Sequence, residues 1–318
     1  KSKLFIKVSN NSDIKDLLES NELTENEYLI LGEGSNILFT KDFNGIIIKN
    51  EILGKDILSE NNSHTIIKVG AGENWHSFVL WAIENNLSGI ENMALIPGNI
   101  GSAPIQNIGA YGMEIKDVID KVWAINLETK EDIIFENKDC LFEYRSSIFK
   151  TSLKNKVIIT HVSIKLSKQP KYNTKYGEIE KEIKNMGNTI SISNIAKAVI
   201  NIRQRKLPNP KIIGNSGSFF KNPIITKDRF LEIKEKHPLI ISYQTSKLLY
   251  KIAAGWLIED CGWKGYREKD YGVHKHQALV IVNYGKASGR EILDLSEQIQ
   301  ESVKDKFDIE LIPEVNII

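Results

Sequence analysis

Cysteine is nearly missing from this chain: Cys140 and Cys261 are the two among 318 residues. A pair so far apart argues against a disulfide framework and lacks the spacing of a zinc site, so each reads as a small core residue and no metal is expected. An excess of one charge is missing too. Forty-two Lys and Arg face 41 Asp and Glu, a net charge of +1. A general nucleic-acid binder would be strongly basic, so nucleic acid is not an expected partner. No apolar run approaches the roughly 18 residues of a membrane span, and the N-terminus KSKLFIKVSNNSD is mixed in character. The expectation is a cytoplasmic protein without a membrane partner.

One local absence is the most informative. Residues 96–112, IPGNIGSAPIQNIGAYG, carry no charge at all, but hold four glycines and two prolines. Small, apolar and amide side chains at this glycine density fit a loop lying against a flat cofactor, with N–H groups turned to phosphate or ring heteroatoms. A buried glycine-rich crossover is the alternative reading of the segment.

With 41% hydrophobic and 26% charged residues, the chain has globular composition and the length of about two domains. The first half is rich in short β-type runs at 28–31, 45–49, 65–69, 122–126, 132–135 and 157–166. Helical periodicity marks 12–19 and 73–85. This is strand with inserted helix, not regular βαβ alternation. The second half predicts helices at 177–184, 193–205, 245–261 and 290–307, a strand at 277–283, and a domain boundary near the Pro208-Asn209-Pro210 turn. Ser288 and Glu291 have capping-box spacing.

Two further glycine turns follow strands: Gly32-Glu33-Gly34-Ser35-Asn36, and Gly70-Ala71-Gly72 before a helix. Each suits an anion, and each also suits a plain connector. Arg145, in YRSSIFK, sits among apolar neighbours; it needs either a ligand anion or an internal ion pair. Residues 203–223 hold five basic residues and no acidic one, with Ser218 beside Phe219 and Phe220. A compact polyanion such as a nucleotide diphosphate suits so short a patch. His274 and His276 alternate along a strand-like run, which is poor evidence for a metal. Glu314 is a lone acid in an apolar C-terminal stretch, either exposed or buried with a shifted pKa.

In order along the chain, LGEGSN, GAGENW, IPGNIGSAPIQNIGAYG, YRSSIFK, KLPNPKIIGNSGSFFKNP, AAGWLIE, HQALVIVN and PEV resemble the UDP-N-acetylenolpyruvoylglucosamine reductases of bacterial peptidoglycan synthesis. The resemblance covers nearly the whole chain. It implies an α+β protein. Its FAD-binding region, of the vanillyl-alcohol-oxidase (PCMH) type, has subdomains at 1–50 and 51–206. An α/β substrate-binding domain follows at 207–318, with the C-terminal tail returning to the active site.

It also implies FAD as cofactor, NADPH as reducing co-substrate, and UDP-N-acetylglucosamine enolpyruvate as substrate, with a monomer expected. Hydride passes from flavin N5 to C3 of the enolpyruvyl group, and a proton reaches C2. The catalytic positions fall on Arg145, Ser218 and Glu314: electrostatic stabiliser, proton donor and hydrogen-bonding acid. FAD contacts fall on Gly32, Gly34, Ser35, Asn36, Gly70, Gly72, Pro97, Gly98, Gly101, Ser102, Gln106, Asn107, Gly109, Ala110 and Gly112. Glu33, between two of these, must point away from the diphosphate. Substrate contacts fall on Tyr176, on a segment at 172–178 covering the substrate, and on Lys206, Asn222, Tyr243, Lys251 and Gln277. An oxidase on the same fold and a non-catalytic nucleotide-sugar binder are the rival classes. His or Cys tethering of flavin within 96–112 is excluded, since neither occurs there.

Overall fold

The computed structural model describes residues 1–20 and 22–318, and the chain divides into two compact units. Unit 1 comprises Lys1–Gly34 and Phe43–Arg205; unit 2 comprises Ser35–Asp42 and Lys206–Ile318.

Unit 1 holds two sheets. Strands Ser2–Val8, Phe43–Asn50 and Tyr28–Leu31 lie in that spatial order and are all parallel. The central strand carries Ile46, Ile47 and Ile48 in a buried run, the pattern of a strand covered on both faces. The second sheet is antiparallel, in the order Asp132–Glu136, Ile119–Asn126, Val157–Ser167, His64–Gly70, Lys55–Glu60. Its edge strand Lys55–Glu60 is exposed throughout and carries Lys55, Asp56 and Glu60, charges that discourage edge pairing. Separate cores serve the two sheets. One gathers Val8, Ile14, Ile46, Ile48 and Ile52 with Ile125 and Ile158. The larger packs Trp75, Phe78, Ile100 and Ile115 against Val122, Val162 and Ile202.

Unit 2 is built around the helix Gly289–Phe307. Ser288 Oγ accepts from the Glu291 N–H at 3.2 Å, and the Glu291 carboxylate accepts from the Ser288 N–H at 2.7 Å, the expected capping box. Its stripe of Ile292, Leu295, Ile299, Val303 and Phe307 is buried. It packs with a sheet ordered Gly214–Asn215, Ile281–Asn283, Tyr271–Val273, Arg267–Glu268. A second sheet joins Ile224–Thr226, Leu249–Ile252 and Ser242–Gln244.

Two expectations are corrected. Residues 245–261 do not form one helix: they make a turn, the strand Leu249–Ile252 and the short helix Ala254–Asp260. Leu248 and Leu249, apolar and at helical spacing with Ile252 and Trp256, are both exposed. The Thr245 N–H and hydroxyl both donate to the Leu249 carbonyl, closing a hairpin that pairs Tyr243 with Lys251. Cross-strand pairing on both sides of Leu249–Ile252 thus outweighs local periodicity. The strand expected at 277–283 is confined to Ile281–Asn283, because Val280 N–H donates back to the Gln277 carbonyl in a turn. Residues 35–42, inside the stretch 1–50 of the sequence reading, group with unit 2. Ile37–Leu38 pairs in parallel with Asn316–Ile317, and Thr40 donates from both N–H and Oγ1 to the Ile318 carbonyl at 2.8 Å.

Candidate active site

Arg145 has φ +53°, the left-handed region where a side chain costs about 1–2 kcal/mol. It occupies the third position of a turn closed by reciprocal bonds, Glu143 N–H to Ser146 O at 3.0 Å and Ser146 N–H to Glu143 O at 3.2 Å. Its guanidinium donates to the carbonyls of Asn107 at 3.2 Å and Gly109 at 2.7 Å. The chargeless loop therefore grips the arginine through backbone oxygens.

Most polar atoms of that loop are committed within unit 1. Asn107 is fully buried, and its side chain binds Glu143 O, Glu114 and the Lys116 N–H. Its amide is spent on the protein. Ser102 Oγ donates to Asn99 O, and the Gly101 N–H to Ala71 O. Gly109–Ala110 pairs with Met113–Glu114 across a two-residue turn in which Tyr111 (φ +48°) and Gly112 (φ +80°) are both left-handed. Gly112 is the turn glycine this geometry requires.

Gly70 and Gly72 also act as connectors. The N–H groups from Gly70 to Glu73 all donate to carbonyls of the protein, and a Cβ on Gly72 would lie 2.6 Å from the Glu51 carbonyl carbon. These glycines bring backbone against backbone. Glu33 staples the three glycine turns: it accepts from Asn74 Nδ2 at 2.6 Å and from the Gly98 N–H at 2.9 Å. A cavity of about 520 Å³ opens where these turns meet, lined by Ser9, Glu33, Lys49, Glu51, Leu53, Gly72 and Asn99. Its two carboxylates and single ammonium suit hydroxyl donors better than a diphosphate.

Tyr176 is 42% exposed. Its segment is pinned to the hairpin: Asn92 Nδ2 donates to Tyr111 O at 2.9 Å and Asn173 O at 2.7 Å, and Asn173 Nδ2 donates to Gly112 O at 3.1 Å. Beside Tyr111 lies Arg203, which the sequence reading did not single out. Its Nε is sealed from solvent without a hydrogen-bond partner. Burial holds its pKa below the usual arginine value, while the neighbouring Tyr111 pushes the other way. Burial and then Arg203 lower His76 likewise. An orphaned guanidinium nitrogen beside a chargeless loop is what a bound group with carbonyl or anionic oxygens would complete. A sequence signal existed, because Arg203 falls on the inward stripe of Ile195, Val199 and Ile202.

In unit 2, Ser218 is exposed and follows Gly217, whose φ is +75°. Next to it, Phe219 is buried, and its carbonyl accepts the Glu314 N–H at 2.7 Å. Phe220 bridges Pro313, and the Lys221 N–H donates to Ile312 O. Backbone pairing thus brings the serine segment and the half-buried Glu314 together, though nearly a hundred residues separate them. Asn36 ties the same tail down: its Nδ2 donates to Glu314 O at 3.1 Å, and its carbonyl accepts the Asn316 N–H at 3.0 Å. The Asn36 side chain thus anchors the tail.

Tyr243 and Lys251 are directly opposed across strands and share a face. Asn222 and Gln277 converge on the start of helix Ala254–Asp260. Asn222 Oδ1 accepts the Ala254 N–H at 2.9 Å, and Gln277 Oε1 lies 3.2 Å from where a Gly255 Cβ would stand. Lys206 is the last residue of helix Ile192–Lys206.

Both cysteines are free. Burial, with Asp139 adding to it, pushes the Cys140 thiol up to about 12, and burial raises Cys261 too, so neither is a nucleophile. His274 and His276 do not line a strand face: the strand ends at Val273 and the rings meet edge-on at 5.6 Å. Among the described residues, no group of three or more His, Cys, Asp or Glu could hold a metal ion, and no helix is long and apolar enough to cross a membrane.

Residues 2–128 match the family described as FAD binding domain, and residues 208–318 match UDP-N-acetylenolpyruvoylglucosamine reductase, C-terminal domain. The UDP-N-acetylenolpyruvoylglucosamine reductase of Flavobacterium johnsoniae is 49% identical, over 100% of this chain and 94% of the relative. That of Bacteroides fragilis is 40% identical, over 99% and 94%. Among solved structures, the corresponding enzyme from Thermus caldophilus shares the fold, with TM-score 0.68 and 23% identity over 98% of this chain and 91% of its own. The α+β architecture, an FAD-binding region followed by a mixed C-terminal domain, is that of this group. On full-length identity at this level, the chain belongs to the UDP-N-acetylenolpyruvoylglucosamine reductase family.

Proposed function

We propose that this chain reduces the enolpyruvyl ether of UDP-N-acetylglucosamine enolpyruvate to the lactyl ether of UDP-N-acetylmuramate, a step of peptidoglycan precursor synthesis, as a cytoplasmic monomer with FAD and NADPH. The relatives' shared name supports the activity. Arg145 carries the residue assignment: a left-handed arginine aimed by two carbonyls of the chargeless loop is a costly arrangement that packing alone does not demand.

The residues fit FAD in three respects. The loop 96–112 brings no charge against a flavin, Arg203 supplies an orphaned buried donor, and both Glu33 oxygens are held by donors of the protein. Gly32, Gly34, Ser35, Pro97, Gly98, Ser102, Gln106 and Ala110 would line the cofactor. Gly70, Gly72, Gly101, Gly109 and Gly112 shape its walls. The chemistry that bound FAD supplies is relay of a hydride from NADPH to C3 of the enolpyruvyl group.

Arg145 stabilises the negative charge that builds on C2 and the carboxylate as C3 is reduced. Ser218 delivers a proton to C2 as general acid; because a serine hydroxyl is a weak acid, the transfer depends on a strongly basic carbon. Glu314, when it carries a proton, hydrogen-bonds to the same charge. Lys206 and Lys251 meet the diphosphate, with Tyr243 opposite Lys251 on the same face. With Oδ1 committed to Ala254, Asn222 has its NH₂ to offer, which suits a uracil or sugar carbonyl. Gln277 reads a neighbouring polar edge, and Tyr176 covers the sugar.

The test is anaerobic spectroscopy of the holoenzyme. NADPH bleaches the flavin band, and the enolpyruvyl substrate restores it. A protein unable to take up FAD would overturn the reading, and so would bleaching without recovery on substrate.

A further inference from the structure

The side chain of Asn107 spends both its donors and its oxygen within the protein. One Nδ2 hydrogen goes to Glu143 O at 2.9 Å and the other to Glu114 Oε2 at 3.2 Å, while Oδ1 accepts the Lys116 N–H at 3.2 Å. Its φ of +45° is tolerated by asparagine better than by most side chains. Glu143 is the first residue of the turn in which Arg145 stands left-handed, so the amide fixes the base of that turn. The Asn107 carbonyl, meanwhile, receives the Arg145 guanidinium. Ser147 Oγ, donating to Ile105 O at 2.7 Å, locks the other end of the same turn. A single buried residue thus sets both the backbone that bears Arg145 and the direction in which its guanidinium points.

We propose that Asn107 is the positioning residue of Arg145, controlling the substrate half-reaction through the arginine without touching substrate. The proposal rests on the role given to Arg145 above. Asn107→Gly keeps the left-handed backbone and the carbonyl that receives Arg145, but removes the amide. Asn107→Asp keeps shape and the Oδ1 acceptor, loses both donors, and sets a carboxylate against Glu114.

The experiment is a double-mutant cycle on the holoenzyme, with stopped-flow measurement of both half-reactions and thermal melts of each variant. Either Asn107 variant should slow flavin reoxidation by the enolpyruvyl substrate about 10- to 100-fold, the size expected for a misaimed stabiliser. The substrate Kd and the rate of bleaching by NADPH should stay within about threefold, a shift too small to mark lost binding. Combined with Arg145→Ala, the Asn107 variants should add nothing further, since groups acting as a unit are not additive.

Equal slowing of both half-reactions, or a full additive loss on top of Arg145→Ala, would overturn the proposal. So would failure of both Asn107 variants to fold. If Arg145→Ala itself reoxidised at the wild-type rate, the role of Arg145 would fall and this proposal with it. Additivity alongside a slow Arg145→Ala would remove only the present proposal.

Discussion

Arg145 separates strain from function in one comparison, Arg145→Gly against Arg145→Ala. Both variants lose the same bonds to the carbonyls of Asn107 and Gly109, so those contributions cancel. What differs is the backbone. At φ +53° alanine retains a penalty of about 1–2 kcal/mol that glycine avoids, and glycine returns roughly 0.5–1 kcal/mol through its freer unfolded chain. The glycine variant should therefore be more stable by about 0.5–1 kcal/mol. In a domain of roughly 150–250 residues that is about 1–4 °C in Tm. Activity should not follow stability. Without the guanidinium, charge on C2 and the carboxylate goes unanswered, and the substrate half-reaction should slow about 10²- to 10³-fold in both variants, equivalent to roughly 3–4 kcal/mol. The assays are circular-dichroism melts and anaerobic stopped-flow at the flavin band. An alanine variant as stable as the glycine one would refute the left-handed turn. A more active glycine variant would refute the electrostatic role, since it would tie the loss to backbone strain.

Ser218→Ala should leave bleaching by NADPH intact and slow substrate-driven recovery about 10²- to 10⁴-fold, the range for a lost proton donor; equal loss in both halves would refute proton donation. Gly101→Ala would place a Cβ 2.6 Å from Ala71 Cβ and should cost about 1–3 kcal/mol, and Ala71→Gly in the same chain should restore most of it. No rescue in urea melts would show that the crowding lies elsewhere. Burial, and next the Lys68 charge, hold His161 down to about 4 from 6.5. The unfolded chain therefore takes up a proton that the folded chain resists, so stability should be level above about pH 6.5 and fall as pH drops toward 4. His161→Gln should flatten that part of the profile, and an unchanged slope would refute the assignment.

Much of the fold was legible where local pattern and tertiary demand agree. The helix at 289–307 announced itself through the Ser288–Glu291 box and a five-residue apolar stripe. The first-half strands lay where Ile and Val cluster. The expected helix at 245–261 shows the limit. Its apolar spacing was compatible with a helix, but two neighbouring strands supplied hydrogen-bonding edges that no local window contains. In the candidate site, ordered motifs pointed to Arg145, Ser218 and Glu314, yet not to what holds them.

By itself, the sequence determined the family, the chargeless character of the loop at 96–112, and the residue types available for chemistry. These are matters of composition and order, unchanged by folding. Only the tertiary structure decided how polar atoms are spent. Asn107, Asn36, Gly70 and Gly72 read as cofactor contacts because amides and glycines suit phosphates. In the fold, the Asn107 amide binds Glu143 O, the Asn36 amide binds Glu314 O, and the two glycines bring backbone against backbone. Arg203, marked in the sequence by nothing but its place on the inward stripe of its helix, is a buried donor without a partner at Nε. Hydrogen-bond partners drawn from distant parts of the chain are a property of three-dimensional packing, and a buried polar atom has to find one wherever the fold provides it.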